Sequence, residues 1–509
     1  MTKTTFRFPT GILRLGFCGL LFLTACSSSK PLQVAQPAGG ARSLAELRLR
    51  IEQALNDRAL AHAITGIKIV SLRTGEVFYE RNADLLAHPA SNQKLLTSAT
   101  ALSLLGPAYV FRTSVACDSA QKIESVIAGD LYLIGRGNPD LTDKDLFGLA
   151  QNLAQLGIKE IRGNLVCDDF YFDDLRWGNG WMWDDDPSTD EPRLSALTVN
   201  DNAVTVRVTP ADTTGKPARV QIIPPTDHVT LVNSSITVKR QTQIDSLQLP
   251  PLLITRNWQQ NENTILVSGS IAQDESPQEE TLNILDPEIY CGKLFRDALR
   301  TAGIRLQGQV LRGAALAKIK TLAEHRGPMM PILINLNKVS DNLTAELLLK
   351  TLGAEKFGWP GTAANGIRVM RQFFSSVGVD TNAVYSADGS GVSHYNLVTP
   401  ANLVSLLTAM WKNFAIRNEF VATLPIAGVD GTLRGRMKGT TAANVLHAKT
   451  GTLSAVSTLS GYTTTAEGEE LAFSLMMQHF LTTGRAIRSI QDRLGAELSG
   501  FRRGASAAQ

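Results

Sequence analysis

A serine and a lysine stand three positions apart at the start of an apolar helical pattern, in the stretch HPASNQKLLTSATALSLLG at residues 88–106. Ser91 is a good helix-capping residue, but Lys94 occupies the position where a capping box needs Glu or Gln. Because residues i and i+3 share a helix face, the Lys94 amine can reach the Ser91 hydroxyl. The helix dipole and partial burial would both lower the pKa of this lysine, and a neutral amine can take the proton of a serine nucleophile. The pair is therefore either a flawed helix cap or a nucleophile with its own base.

The Ser-x-x-Lys spacing is weak evidence by itself, because the chain contains it three times. The other two pairs are Ser27 with Lys30 and Ser119 with Lys122. Only Ser91 follows a proline-containing turn and opens a strongly apolar helical pattern. This context favours Ser91 as the nucleophile.

Two further motifs carry residue types that such chemistry needs. Residues 340–342 read SDN in a turn before a helical pattern, where Ser340 or Asn342 is, taken alone, more typical of a helix cap. Residues 449–451 read KTG at the end of a strand-like run, where Gly451 would let a substrate backbone pair closely with the strand edge. Each motif alone is ambiguous, and their order along the chain is the informative feature.

In the order Ser-x-x-Lys, Ser-x-Asn and Lys-Thr-Gly, the three motifs resemble the signature set of active-site-serine penicillin-recognising enzymes. Longer stretches resemble the low-molecular-mass class C penicillin-binding proteins, the D-alanyl-D-alanine carboxypeptidase/endopeptidase family of type-4 penicillin-binding proteins. They include GDLYLIGRGNPDLT, ADGSGVSHYNLVTP and LPIAGVDGTLRGRM, and the resemblance runs from about residue 45 to the C-terminus. His394 and Ser454 depart from residues that some relatives carry near the active site, so recognition of the stem-peptide side chain can differ.

The resemblance implies a role for each motif residue. Ser91 would attack the carbonyl between two D-alanines and form an acyl-enzyme, with Lys94 as the base. Ser340 and Lys449 would relay a proton to the departing amine. Asn342 would hold the substrate amide and help to fix Lys94.

The resemblance also implies substrate contacts beyond these five residues. The backbone N–H groups of Ser91 and Thr452 would form the oxyanion hole, and the hydroxyls of Thr450 and Thr452 would hold the terminal carboxylate. The other substrate-binding candidates are Gly451, Asp185 and His394. No cofactor and no metal ion is expected.

Residues 388–391 read DGSG with His394 nearby, a combination that could suggest a Ser-His hydrolase. The chain contains no G-x-S-x-G motif, and DGSG is typical of a tight turn. We therefore expect Ser390 in a loop at the rim of the active site and not as the nucleophile.

The pattern of helical and strand-like runs indicates an α+β protein. An N-terminal hairpin and the C-terminal strands could form one antiparallel sheet with helices on both faces, and the resemblance implies the serine β-lactamase/DD-peptidase-like catalytic domain. Residues 43–107 and 291–509 would form this domain. Residues 108–290, rich in short β-branched runs, predict a large β-rich insertion in two nested parts.

Residues 1–25 have the basic start and the short apolar core of a secretory signal peptide. The sequence LTAC at residues 23–26 resembles a bacterial lipobox, which implies cleavage before Cys26 and lipidation of this cysteine. Residues 26–42 predict a flexible tether. We therefore expect a periplasmic protein anchored to a membrane by lipid, the outer membrane if the cell is Gram-negative. An ordinary signal peptide with an incidental cysteine is the alternative.

Charge and cysteine content bear on three further features: a nucleic-acid partner, a disulfide and a zinc site. The 50 Lys and Arg residues nearly balance the 47 Asp and Glu residues, and no basic stripe stands out, which disfavours nucleic acid as a partner. Export permits a disulfide between Cys117 and Cys167, leaving Cys291 unpaired, but the sequence does not decide it. No spacing typical of a zinc site occurs.

The expected function is a serine DD-peptidase that acts on peptidoglycan stem peptides and binds β-lactam antibiotics covalently. The balance of carboxypeptidase and endopeptidase activity and the oligomeric state stay open. One alternative is a β-lactamase with the same acylation groups, which the long insertion disfavours. The other is a catalytically idle peptidoglycan-binding lipoprotein, which the intact set of five motif residues disfavours.

Overall fold

The computed structural model describes residues 40–121, 124–241 and 248–503. The predicted signal peptide, Cys26 and residues 26–39 of the predicted tether lie outside the described residues. Within the described ranges, no helix combines the length and the apolar character that a membrane span needs.

Ten α-helices occur in the described residues, numbered here in chain order. They are α1 (Leu44–Leu55), α2 (Gln93–Leu105), α3 (Asp143–Gln155), α4 (Pro287–Thr301), α5 (Met329–Lys338), α6 (Asn342–Phe357), α7 (Ala363–Ser376), α8 (Pro400–Lys412), α9 (Arg417–Thr423) and α10 (Gly484–Gly500).

The strands of the described residues fall into an N-terminal pair, a long middle series and a C-terminal group. They are β1 (Ile64–Ser71), β2 (Val77–Arg81), β3 (Val110–Asp118), β4 (Val126–Ile127), β5 (Leu131–Gly135), β6 (Glu160–Ile161), β7 (Leu165–Asp168), β8 (Ala203–Thr209), β9 (Arg219–Ile223), β10 (Thr230–Asn233), β11 (Ile236–Val238), β12 (Leu253–Arg256), β13 (Thr264–Ser268), β14 (Ser270–Ala272), β15 (Gln278–Asn283), β16 (Arg305–Leu306), β17 (Val310–Arg312), β18 (Ile319–Pro328), β19 (Val384–Tyr385), β20 (Leu397–Val398), β21 (His447–Leu453), β22 (Val456–Thr464) and β23 (Glu470–Gln478).

The catalytic part is built on one antiparallel sheet with the strand order β2-β1-β23-β22-β21. The first two strands are the predicted N-terminal hairpin, and the other three are the predicted C-terminal runs. A sheet that joins the two ends of the described chain can accept a long insertion between them without losing a strand. The KTG motif lies on β21, at one edge of this sheet.

Helices cover both faces of the sheet. Successive residues of a strand point to opposite faces, and β23 shows this alternation. Phe473 and Leu475 belong to a core shared with α1 and α10, whereas Ala472 and Met476 belong to a core shared with α2 and α8. The predicted antiparallel sheet with helices on both faces is therefore confirmed.

Helix α2, which follows the nucleophile candidate, is central to the second of these cores. All of its first ten residues are buried, and it packs against α5, α6 and α8. A helix surrounded by other helices can hold a polar side chain away from water if that side chain finds hydrogen-bond partners. This burial determines the chemistry of Lys94.

The insertion has an apolar core of its own. A five-stranded sheet in the order β17-β7-β5-β3-β18 lies beside several two- and three-stranded sheets, and α3 and α4 pack into the same core. The β-rich character of residues 108–290 is thus present, but this stretch also contains α3, which the sequence did not identify.

The strand pairing extends the insertion beyond the predicted boundary at residue 290. β16, β17 and β18 each pair with a strand of the insertion. By these contacts the insertion reaches about residue 328. The sequence did not indicate this, because two of the three strands are too short for a recognisable pattern and α4 resembles a catalytic-domain helix. The division into domains and nested parts itself stays a prediction, since the described residues from 40 onwards form one compact unit.

The cysteines of the described residues, Cys117, Cys167 and Cys291, are buried free thiols. Cys117 lies on β3 and Cys167 on β7, and β5 runs between these two strands. Strands two positions apart are separated by roughly 9–10 Å, whereas a disulfide needs Cα atoms within about 7 Å. The disulfide that the sequence left open between Cys117 and Cys167 is therefore absent.

Candidate active site

Ser91 lies in a short 3-10 turn, Ala90–Asn92, that leads into α2. The cap position of α2 is Asn92, and no side chain caps this helix. The interpretation of Ser91 as a helix cap is therefore wrong. Ala90 has a φ of 47°, a left-handed conformation that is unfavourable for a non-glycine residue. Such local strain is typical of functional sites, and here it precedes the nucleophile candidate directly.

The Lys94 side chain is fully buried and points at three oxygen atoms. Its Nζ lies 2.5 Å from Asn342 Oδ1, 2.7 Å from the Ser390 carbonyl oxygen and 3.2 Å from Ser91 Oγ. The two nearer oxygens can only accept hydrogen bonds, whereas a hydroxyl can also donate. A neutral amine would therefore donate to Asn342 and Ser390 and keep its lone pair for the Ser91 proton.

Burial lowers the pKa of Lys94 from its ordinary value of 10.5 to about 8, and the negative charges of Asp388 and Asp341 partly oppose this shift. The sequence predicted the direction of the shift from the helix dipole and partial burial. In the structure burial is complete and is the dominant cause. A lysine in this pKa range can exchange a proton near neutral pH.

The SDN motif is divided between a helix cap and the active site. Asp341 caps α6, since its side chain accepts hydrogen bonds from the backbone amides of Leu343 and Thr344. The interpretation of Ser340 or Asn342 as the cap is therefore wrong. Because the middle residue satisfies the helix end, the residues on either side of it are left for the site.

Lys449 is the second fully buried lysine of the site. Its Nζ donates to Ser340 Oγ at 2.8 Å and to the Thr450 carbonyl oxygen at 2.9 Å. The Asn92 side chain donates to the Lys449 carbonyl at 2.8 Å, which ties β21 to the turn that carries Ser91. Burial, and then the charge of Lys94, lower the pKa of Lys449 well below its ordinary value.

The absence of a side chain at Gly451 makes room for the nucleophile turn. A Cβ atom at this position would lie 2.7 Å from the Pro89 carbonyl oxygen and 3.0 Å from the Ser91 amide nitrogen. The Thr458 hydroxyl oxygen would be nearer still, at 2.2 Å. Pairing of a substrate backbone with this strand edge stays a prediction. Thr452 is exposed on the same edge strand, and the Thr450 hydroxyl donates to Thr432 Oγ1 at 2.8 Å.

Asp185 and His394 lie together beside this centre. Burial raises the pKa of Asp185, and the charge of a protonated His394 lowers it. The His394 ring packs edge-on against the His88 ring, with centroids 5.6 Å apart, and His88 lies three positions before Ser91. Among the hydrogen bonds of the described residues, none joins Asp185 or His394 to the five motif residues. Their role in substrate binding stays a prediction.

The DGSG turn at residues 388–391 forms the inner wall of the site and not its rim. Ser390 is fully buried, and it offers Lys94 its carbonyl oxygen. Asp388 shapes the turn by accepting hydrogen bonds from the Gly391 amide at 2.8 Å and the Ser393 amide at 2.6 Å. The turn was predicted, whereas its contact with Lys94 was not.

Glu346 is a buried carboxylate that the sequence did not single out. Its Oε1 accepts hydrogen bonds from the amides of Gly389 and Ser390 at 2.9 and 2.8 Å, and burial raises its pKa. The only signal was its position four residues after Asn342, on the same helix face, within a run of leucines. In the parts of the chain that the structure describes, no group of three His, Cys, Asp or Glu side chains is placed to hold a metal ion.

The fold is that of an active-site-serine hydrolase, and Lys94 is placed where it could act as the base for Ser91. A profile described as the D-Ala-D-Ala carboxypeptidase 3 (S13) family matches residues 47–498, and the chain belongs to this family. Its enzyme class is serine-type D-Ala-D-Ala carboxypeptidase.

Individual relatives agree with the family assignment. The chain is 38% identical over 483 residues to a D-alanyl-D-alanine carboxypeptidase of Actinomadura sp. (strain R39), which covers 91% of this chain and 86% of the relative. It is 27% identical over 417 residues to D-alanyl-D-alanine carboxypeptidase DacB of Haemophilus influenzae, covering 81% and 85%. The crystal structure of penicillin binding protein 4 (dacB) from Haemophilus influenzae has the same fold, with a TM-score of 0.78 and 24% identity over 88% of this chain and 99% of that chain.

The position of Lys94 predicts a rise of activity with pH. Only the neutral amine can take the Ser91 proton, and its pKa is about 8. The neutral fraction is therefore about a tenth at pH 7 and about a hundredth at pH 6. We expect kcat/KM for D-Ala release from a peptide ending in D-Ala–D-Ala to rise about tenfold per pH unit below pH 7 and to level off above pH 8. Circular dichroism at each pH checks that the fold is retained. A flat profile between pH 6 and pH 9 would contradict the assignment of the base.

Proposed function

We propose that the protein is an exported, lipid-anchored DD-peptidase that removes the terminal D-alanine from peptidoglycan stem peptides through an acyl-enzyme on Ser91. One observation carries this proposal. The buried Lys94 amine has two acceptor oxygens for its protons and faces the Ser91 hydroxyl with its third hydrogen-bonding direction. A serine held in this way is activated without any histidine.

Acylation begins when Ser91 Oγ attacks the carbonyl carbon of the penultimate D-alanine. The hydroxyl proton moves to Lys94 Nζ, and the carbonyl oxygen becomes an oxyanion. The Ser91 backbone amide, next to Gly451 on the edge strand β21, is one donor for this oxyanion, and the Thr452 amide is the proposed second.

Collapse of the tetrahedral intermediate breaks the C–N bond, and the departing nitrogen of the terminal D-alanine needs a proton. The Ser340 hydroxyl accepts a hydrogen bond from Lys449 and can pass on a proton while it receives one from this lysine. Water then adds to the ester carbonyl and passes a proton through Ser340 back to Lys449. Lys94 returns its proton to Ser91 Oγ as this oxygen leaves, which regenerates the hydroxyl and releases the shortened peptide.

A β-lactam would acylate Ser91 in the same way, because opening its strained amide ring uses the same attack and the same proton transfers. The β-lactamase alternative differs in one respect, the speed at which water hydrolyses the ester. The idle-lipoprotein alternative differs in having no acylation at all. Cutting of cross-links, the endopeptidase activity, stays a prediction that digestion of purified cross-linked muropeptides would test.

Export and anchoring are supported by the N-terminal sequence. A basic start, a short apolar core and LTAC at residues 23–26 are the features of a lipoprotein signal. Several acyl chains on Cys26 would suffice for stable anchoring, and a flexible tether would let the enzyme reach the cell wall. The proposed location is the periplasm, at the outer membrane of a Gram-negative cell.

Labelling with a fluorescent penicillin tests the nucleophile and separates the alternatives. We expect the purified protein to form a stable covalent adduct and Ser91→Ala to form none, because the ester needs the Ser91 oxygen. Ser119→Ala is the matched control, since Ser119 is exposed, lies outside the site and also stands three positions before a lysine in the sequence, and it should label like the parent. An unlabelled parent would contradict the proposal, and rapid loss of the label would indicate a β-lactamase.

Cell fractionation tests the anchor. Replacing Cys26 removes the sulfur that would carry the lipid, so Cys26→Ser is expected to move the protein from the membrane fraction to the soluble fraction. Cys18→Ser, a change within the apolar segment, is the matched control and should leave the protein in the membrane. Membrane retention of Cys26→Ser would show that the lipobox interpretation is wrong.

A further inference from the structure

The insertion takes part in the active site through a turn between β7 and β8. We propose that Asn283, the last residue of β15, is a positioning residue for acylation, because it holds the turn whose Asp190 carbonyl orients the Asn342 amide. This inference rests on the proposed function of the same site. It gives the insertion a catalytic purpose in addition to any role in binding.

The orientation of the Asn342 amide decides which of its atoms faces Lys94. Asn342 Nδ2 donates to the Asp190 carbonyl oxygen at 2.6 Å, and Asn342 Oδ1 accepts from Lys94 Nζ at 2.5 Å. A carbonyl oxygen can only accept, so the Asp190 carbonyl fixes the amide with its oxygen towards the lysine. With the amide reversed, the NH2 group would face Lys94 and compete with Ser91 for the lone pair of the neutral amine.

Asn283 makes several hydrogen bonds to the turn that presents the Asp190 carbonyl. Asn283 Nδ2 donates to the Ser188 carbonyl at 2.8 Å and to the Glu191 carbonyl at 2.9 Å, on either side of Asp190. The Asn283 backbone amide donates to the Pro187 carbonyl at 3.1 Å. Three hydrogen bonds from one buried residue thus fix three carbonyls of the turn, two before Asp190 and one directly after it.

A buried arginine fixes the orientation of Asn283 in turn. Arg256, the last residue of β12, donates from Nε to the Asn283 carbonyl at 3.1 Å and from Nη2 to Asn283 Oδ1 at 3.0 Å. Arg256 also forms a salt bridge with Asp186, at the start of the same turn, and both side chains are buried. Guanidinium groups can only donate, so Asn283 must direct its NH2 group at the turn. Hydrogen bonds, together with the backbone of the turn, therefore link the insertion strands to Lys94.

Acylation kinetics with penicillin test this inference, using the purified full-length protein. We expect Asn283→Ala to lower the acylation rate constant by about 10- to 100-fold, since small displacements of positioned groups have effects of this size. The initial dissociation constant of penicillin should change by less than the acylation rate constant, because Asn283 contacts none of the proposed substrate-binding residues directly. Asn233→Ala is the matched control. The Asn233 side chain donates to the Ala218 carbonyl at 2.8 Å elsewhere in the insertion, so this variant should acylate at the parent rate.

A double-mutant cycle separates positioning from a general structural effect. If Asn283 acts through Asn342, then adding Asn283→Ala to Asn342→Ala should change the acylation rate constant by no more than about twofold. Independent, multiplying effects of the two changes would overturn the inference, and so would a parent-like rate of Asn283→Ala.

Misfolding of Asn283→Ala and failure of the parent to react with penicillin are distinguished as follows. If Asn283→Ala does not melt cooperatively, the same criteria apply to Asn283→Asp, which keeps the oxygen that Arg256 contacts but loses the two donors to the turn. A parent protein that forms no adduct would contradict the proposed function itself. A labelled parent with a fully active Asn283 variant would overturn only the positioning role.

Discussion

The active site depends on the removal of one lysine side chain from water. Lys94 is fully buried in the middle of a helical core, and three oxygens lie around its amine. Burying a charged ammonium group is unfavourable, so burial lowers the pKa of the amine, and the protein supplies hydrogen-bond partners. The same two features suit the amine to act as a base near neutral pH and leave its remaining hydrogen-bonding direction for Ser91. Stability and catalysis therefore impose the same geometry on this residue.

Each part of the fold contributes one side of this enclosure. The helix α2 and the turn before it hold Ser91 and Lys94, the cap of α6 frees Asn342, and the DGSG turn supplies a backbone carbonyl. The edge strand β21 approaches so closely that only a glycine fits against the nucleophile turn. The insertion closes the remaining side through the Asp190 carbonyl. The site is thus assembled from elements that are distant in sequence.

The sequence predicted the five motif residues and the sheet, because these features are local or recur in a fixed order. The antiparallel sheet followed from a hairpin and three strand-like runs with clear turns. Glu346 and Asn283 could not be predicted, since their importance arises from contacts across long sequence distances within unremarkable helical and strand patterns. The pairing of β16 and β17 with strands of the insertion could not be predicted, because such short strands carry too few residues for a pattern. The sequence could not decide whether Cys117 and Cys167 form a disulfide, because the answer depends on the strand order, which puts β5 between them.

The titration of the Lys94 amine is the most direct test of the claim that burial lowers its pKa into the range of a base. Nuclear magnetic resonance of protein labelled at the lysine side chains can follow this amine, with Lys94→Met identifying its signal. Burial is expected to place the titration near pH 8. A titration at the ordinary lysine value of 10.5 would contradict the central role of burial, because Lys94 would then be almost fully charged when the enzyme acts.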